Sequence, residues 1–291
     1  MQFTVPANAQ ERPIVVVGGG TLGRRIAAVF ASGGADVRIA ELQEPQRQAA
    51  LDYVTEALPE LTARLEKQGI SATPGTVTTV ATVEESLPGA WLVVEAVPER
   101  LDIKRPLFGT LDKLADADAV LATNSSSYKS REVIDEVSNP ERVFNMHFAM
   151  PPQSMAVELM SDGQTSEGLL PAVAEELKRF GLAPFIALAE STGFIFNRIW
   201  AAIKRESLAV VADGVSTPED VDAIMQANMG IHAGPFALMD QVGLDVVLDI
   251  EEHYAAENPN LPEGPRTLLR SYVDAGKLGR KTGEGFYTYD K

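Results

Sequence analysis

A doubly wound α/β domain followed by an all-helical one is the fold this sequence predicts, and three observations predict it. Short apolar, β-branched runs alternate with amphipathic stretches through the first half, the pattern of a parallel sheet covered on both faces. The first of those runs opens onto a glycine-rich turn, Gly18-Gly19-Gly20-Thr21-Leu22-Gly23. Beyond residue 190 the strand-like runs stop, and apolar residues recur at helical spacing. Length alone allows one large domain or two smaller ones.

In chain order, Ile14–Val17 reads as a buried strand, too short for a helix and closed by glycines. Ile26, Ala27, Val29 and Phe30 then supply the inner face of a helix that ends at Gly33-Gly34, and a second strand, Ala35–Ala40, finishes on Glu41. Glycine at 18 permits a tight turn, at 20 lets the backbone approach a pyrophosphate, and at 23 lets helix and strand pack closely. With a strand before, a helix after and an acid beyond, Gly18, Gly20, Thr21, Leu22 and Gly23 are the expected contacts of a dinucleotide. Glu41 would accept hydrogen bonds from the adenosine ribose and repel the extra phosphate of NADP, so NAD is the expected cofactor. Arg47 is the one nearby base that could meet such a phosphate, although an exposed helix charge is its simpler role.

Leu51, Val54, Leu58, Leu61 and Leu65 lie on one stripe of a helical stretch from Glu44 to Gln68, which Pro59 is expected to divide. Strands are expected at Val77–Val80, Trp91–Val97, Ala119–Ala122 and Val143–Met146, with a helix through Leu107 and Leu111. Ligands of open parallel sheets bind outside the carboxyl ends of the strands. Glu99, Asn124 and the serines at 125–127 fall on that rim, though a simple turn would use the same residues.

His147 stands at the end of the last of these strands. A lone histidine is ordinarily a hydrogen-bonded structural residue, but here Pro151-Pro152 forbid helix and reverse the chain. In "MAVELM" the alternation sends Met155, Val157 and Leu159 to one face and Glu158 to the other, so two paired strands would bring His147 beside Glu158. A carboxylate at one ring nitrogen fixes the tautomer and leaves the other nitrogen as proton acceptor, which is what a general base requires. His253, among glutamates, reads as a solvated helix residue and His232 as a loop residue; no H-E-x-x-H spacing occurs, and no metal is expected.

Composition narrows the functional classes. The absence of cysteine excludes disulfides and thiolate chemistry and suits a reducing cytoplasm. With 25 Lys and Arg against 41 Asp and Glu, the net charge of -16 opposes nucleic acid as a partner. "MQFTVPANAQERP" has no basic segment followed by an apolar one, and no apolar run reaches membrane-spanning length, so a soluble cytoplasmic protein is expected.

On these residues together the chain resembles the L-3-hydroxyacyl-CoA dehydrogenase family, almost end to end. "VVEAVPERLDIK" is similar to the family segment beneath the nicotinamide, which makes Glu99 and Lys104 cofactor contacts by resemblance. "ATNSSSY" resembles its A-S-N-T-S-S run, which implies a catalytic Ser126 beside a cofactor-contacting Asn124. "MHFAMPPQSMAVELM" corresponds to its histidine and glutamate segment, and "STGFIFNRIW" to the start of its helical domain, implying an active-site Asn197. In that domain Ser191 or Thr192 is expected to cap the first helix, Ile195, Ile199 and Ile203 to form its buried stripe, and Thr217 to cap the next before Pro218.

The resemblance implies an NAD-binding domain over residues 1–190, a helical domain over residues 191–291, and NAD-dependent interconversion of a 3-hydroxyacyl substrate and its 3-keto form in the cleft between them, in a homodimer. The chain departs from the family at Met150, where an asparagine is usual, in a histidine-to-glutamate segment one residue shorter, and at Ser125 in place of threonine. The helical insertion that the family uses against coenzyme A holds only Arg47, Arg64 and Lys67 as bases, beside Glu44, Asp52, Glu56, Glu60 and Glu66. A small hydroxy acid without CoA, as in the gulonate and carnitine dehydrogenases, is therefore the alternative substrate. A non-catalytic NAD-binding protein is the alternative from a different class.

Overall fold

Ile14–Val17 forms β1 with all four residues buried, in a computed structural model that describes residues 3–289. Its side chains divide by alternation. Ile14 and Val16 join an apolar cluster with Ile26 and Phe30, whereas Val15 and Val17 join another with Phe108 and Leu111. A strand covered on both faces has no polar side, which is why it reads as an unbroken apolar run.

The first unit, up to Ile195, continues with α1 (Thr21–Ser32), β2 (Val37–Ala40), α2 (Glu44–Lys67), β3 (Val77–Val80), α3 (Val83–Ser86) and β4 (Leu92–Glu95). Then follow α4 (Leu101–Leu114), β5 (Val120–Thr123), β6 (Val143–Met150), β7 (Ser154–Met160), α5 (Leu169–Lys178) and β8 (Ala183–Ala187). The strands form one sheet in the order β3-β2-β1-β4-β5-β6-β7-β8. The first six are parallel, β7 runs antiparallel to β6, and β8 runs parallel to β7. The strand order reverses between β1 and β4, so the ligand crevice of a doubly wound sheet opens at their carboxyl ends.

The expectation that Pro59 divides the second helix is wrong: α2 is continuous, with Pro59 inside it. Pro59 lies on the exposed side, where the carbonyl it leaves without a donor can face water, while Val54, Leu61 and Leu65 are buried on either side of it. Packing of that stripe outweighs the local break.

The second unit, from Phe196 onward, consists of α6 (Phe196–Ala212), α7 (Pro218–Met229), α8 (Pro235–Val242), α9 (Leu244–Glu257) and α10 (Gly264–Asp274) around Leu208, Phe236, Leu244, Val247 and Leu269. Thr217 caps α7 by accepting the Asp220 N–H at 3.2 Å. The expected stripe of α6 is displaced. Ile195 and Ile199 are exposed, and Ala201, Lys204 and Leu208 are buried instead, because the helix starts at Phe196 and turns a different face inward. Among the described residues no helix is long and apolar enough to cross a membrane.

Candidate active site

The turn after β1 is fixed by close backbone approaches. Gly18 sits at φ +108, and a Cβ there would lie 2.6 Å from the Ala96 carbonyl oxygen; a Cβ on Gly23 would lie 1.9 Å from the Gly18 carbonyl oxygen. No other residue fits either position. Gly20, the N-cap of α1, makes no side-chain capping bond and has nothing within 4 Å of its missing Cβ, which leaves the first backbone N–H groups of the helix an open approach. Glu41 accepts the Gly19 N–H at 2.9 Å and the Gln43 N–H at 3.0 Å, so its carboxylate is held against the fingerprint. Arg47, beside it, donates from one guanidinium nitrogen to the Glu41 and Leu42 carbonyls at 2.8 and 2.9 Å. The cradle and the fixed acid fit NAD.

On the neighbouring part of the rim, His147 of β6 and Glu158 of β7 are direct cross-strand partners. Nδ1 of His147 lies 3.1 Å from Glu158 Oε2, and both side chains are buried. The other carboxylate oxygen accepts the Ile195 N–H at 2.8 Å. Phe194 stacks on the imidazole, with centroids 5.0 Å apart and planes inclined by 22°. Phe194 is also the one non-glycine residue with positive φ among those described, at 54°. A bulky residue held in the left-handed region marks a site whose surroundings dictate the backbone.

The turn between the two strands, Pro151-Pro152, is gripped from outside. Arg25 donates to the Pro151 carbonyl at 2.8 Å and to Gln153 Oε1 at 2.9 Å, and Arg64 donates to the Pro152 carbonyl at 2.7 Å. Phe30 of α1 packs edge-on against Phe148 of β6, which ties the helix that follows the glycine turn to the strand carrying His147.

At the carboxyl ends of β4 and β5, Lys104 is buried between Glu95, at 2.6 Å, and Glu99, at 3.1 Å. Glu99 accepts hydrogen bonds from the Ser125 hydroxyl and, at 3.1 Å, from the Ser127 N–H. Burial by itself raises the affinity of Glu99 for its proton, but the Ser125 hydrogen bond and the Lys104 charge outweigh it and hold the carboxyl below its ordinary value. Asn124 accepts the Phe148 N–H at 2.9 Å, joining this loop to β6, and Ser126 is exposed next to the buried Ser125. Asn197 lies in the first turn of α6, in the second unit. His253 faces Glu257 at 3.7 Å on an exposed stretch of α9, and His232 is an exposed loop residue. Among the described residues no group of three or more histidine, aspartate or glutamate side chains is placed to hold a metal ion.

Sequence reasoning missed Glu95, Phe194, Arg24 and Arg25. Glu95 interrupts an apolar strand, and an acid at the end of a buried strand is a signal that could have found it. Arg24 and Arg25 both stack over Tyr53 of α2, at 5.2 and 5.3 Å, a meeting of two helices that spacing along one helix does not reveal.

Residues 13–190 match the family model for the 3-hydroxyacyl-CoA dehydrogenase NAD binding domain, and residues 193–289 match that for the C-terminal domain. The chain is 35% identical to a 3-hydroxybutyryl-CoA dehydrogenase of Clostridioides difficile, over 96% of this chain and 99% of the relative. It is 30% identical, over 96% of its length and 91% of the relative's, to a Mesorhizobium japonicum protein named 5-formyl-3-hydroxy-2-methylpyridine 4-carboxylate 5-dehydrogenase. Among solved structures, the (S)-3-hydroxybutyryl-CoA dehydrogenase PaaH1 of Ralstonia eutropha superposes with a TM-score of 0.83 at 30% identity, over 96% of this chain and 99% of that one. With the glycine cradle, the acid fixed against it and both domain matches, the chain belongs to the 3-hydroxyacyl-CoA dehydrogenase family, NAD-dependent oxidoreductases that act on a CH–OH group.

Proposed function

We propose that this chain interconverts an L-3-hydroxyacyl-CoA thioester and its 3-keto form, with His147 as the general base. The observation that carries this reading is the buried 3.1 Å contact between His147 Nδ1 and Glu158 Oε2 at the rim of the sheet. A neutral ring that donates its Nδ1–H to Glu158 keeps its lone pair on Nε2, where it can take the proton of a substrate hydroxyl. Glu158 then faces an imidazolium and stabilises it, while the Ile195 N–H keeps the carboxylate oriented. Phe194 limits rotation of the ring and shields it from water. Ser126 and Asn197 hydrogen-bond the substrate oxygen in this reading. Gly18, Gly20, Thr21, Leu22, Gly23, Glu41, Asn124, Glu99 and Lys104 would hold NAD, which would supply the acceptor for the hydride of carbon 3.

The names of the relatives support a CoA-linked substrate, and so does one cluster of bases. Arg24 and Arg25 meet over Tyr53, and Arg25 and Arg64 donate to adjacent carbonyls. Among the described residues no carboxylate lies within ion-pair distance of these three guanidinium groups, although the chain carries 41 acids against 25 bases. Guanidinium groups without a carboxylate partner keep their charge for a phosphate. A homodimer belongs to the same reading, supported by the exposed Ile199, Ile224 and Met229 of the second unit, as does a cytoplasmic location.

NADH oxidation with acetoacetyl-CoA, compared with free 3-keto acids at matched concentration, tests the substrate: faster turnover of the thioester is expected, and equal or faster turnover of the free acid overturns it. In the same assay His147→Ala lowers kcat by about 10²- to 10⁴-fold with NADH still bound, and full turnover by that variant overturns the general base.

A further inference from the structure

Glu95 is fully buried at the carboxyl end of β4, and three donors point at it: Lys104 Nζ at 2.6 Å, the Val97 N–H at 2.8 Å and the Thr123 hydroxyl at 2.7 Å. Two routes lead from it to the loop after β5. Thr123, which donates to Glu95 Oε2, accepts the Ser125 N–H at 3.2 Å. Lys104, which donates to Oε1, also pairs with Glu99, which in turn accepts the Ser125 hydroxyl and the Ser127 N–H. The Ser125 hydroxyl further accepts the Tyr128 N–H at 2.7 Å. The first route ends on Ser125 and the second on Ser125 and Ser127, the residues that flank Ser126, and Ser126 itself makes no part of the circuit.

We infer that Glu95 is a positioning residue: through Thr123 and through Lys104–Glu99 it fixes the backbone on both sides of Ser126, and so the direction in which that hydroxyl meets the substrate oxygen. The inference rests on the reading of Ser126 given above. A charge pair needed only for folding would stop at Lys104, whose cation Glu95 already balances. Here the hydrogen bonds run on, oxygen by oxygen, to an exposed loop, and the hydroxyl of Thr123 is committed in both directions, donating to the acid and accepting from the loop. Burial holds the Glu95 carboxyl above its ordinary value against the pull of Lys104, so the circuit is sensitive to any loss of its polar partners.

The test is a double-mutant cycle on kcat with acetoacetyl-CoA and NADH, using Thr123→Val, Ser126→Ala and the pair. Thr123→Val keeps the shape of the side chain and the charge of Glu95 while cutting one route. Each single variant is expected to lower kcat by about tenfold or more, with the NADH Kd by fluorescence within about twofold of wild type. The pair is expected to be no more than about twofold slower than the slower single. Thr123→Ser, which restores the hydroxyl, returns kcat to within about twofold of wild type. Wild-type turnover by Thr123→Val while Ser126→Ala is slow, or effects that multiply in the pair, overturns the positioning role alone. Wild-type turnover by Ser126→Ala overturns the reading of Ser126 and the inference with it. If Thr123→Val does not fold, Glu95→Gln enters the same cycle, because its amide turns a donor toward Thr123. Failure of both variants to fold, judged by circular dichroism, marks the network as structural and overturns the inference.

Discussion

Two buried charge clusters lie in the first unit, and they are finished differently. Arg142 is sealed. All three of its guanidinium nitrogens donate, to the Asp112 carboxylate and carbonyl and to the carbonyls of Asp116 and Ala119, and the Asp112 carboxylate also accepts the Ser138 N–H at 2.7 Å. Lys104 is not sealed: it pairs with Glu95, fully buried, and with Glu99, whose side chain is 36% exposed and reaches the serine loop. A cluster whose donors are all consumed inside the core fastens two segments. A cluster that passes its hydrogen bonds outward transmits position to the rim, where ligands bind.

Breaking the sealed cluster has the largest expected effect. Asp112→Ala leaves Arg142 buried and unpaired, and the stability loss read by urea unfolding at neutral pH is about 3–5 kcal/mol. The same variant, where folded, turns over at close to the wild-type rate. A loss below about 1 kcal/mol, or a matching fall in kcat, breaks the comparison.

The open cluster behaves the other way round. Glu99→Gln keeps a hydrogen-bond acceptor for the loop but removes the charge, and with a third of the side chain exposed its stability cost is about 1 kcal/mol or less. NADH affinity by fluorescence titration is expected to weaken by about tenfold. An unchanged Kd together with a large stability loss makes Glu99 a fastener like Asp112.

The smallest effect sharpens the comparison through pH. Burial raises the affinity of Asp112 for its proton, but the Ser138 N–H, Arg142 and Asn139 outweigh it and leave the carboxyl below its ordinary value of 3.8. A carboxyl depressed in the folded state contributes stability that is complete above its unfolded value and is lost as pH falls through the folded one. The stability gap between wild type and Asp112→Asn is therefore constant from neutrality to about pH 5 and narrows toward about pH 3. A gap that stays constant to the acid limit assigns it to packing rather than charge.

The glycine turn and its strand were legible in the sequence because their causes are local: backbone conformation at Gly18, close approach at Gly23 and an apolar run between them. The His147–Glu158 pair was legible for a related reason, since side chains alternate strictly along strands and a reversal at Pro151-Pro152 leaves one antiparallel register that buries Met155, Val157 and Leu159. The stripe of α6 was misread because isoleucines at helical spacing do not say which way the helix is turned against its neighbours. Pro59 was misread because a local break was weighed without the packing that spans it.

By itself, then, the sequence determined the nucleotide turn, the alternation of strands and helices, and the pairing of an imidazole with a carboxylate, all consequences of backbone geometry and of periods of two and 3.6 residues. Only the tertiary structure decided that Phe194 covers the imidazole, that Arg25 and Arg64 grip the turn beside it, and that Glu95 reaches the loop carrying Ser126. Those contacts join residues from different elements, and no periodicity along a chain encodes which elements the burial of apolar surface will bring together.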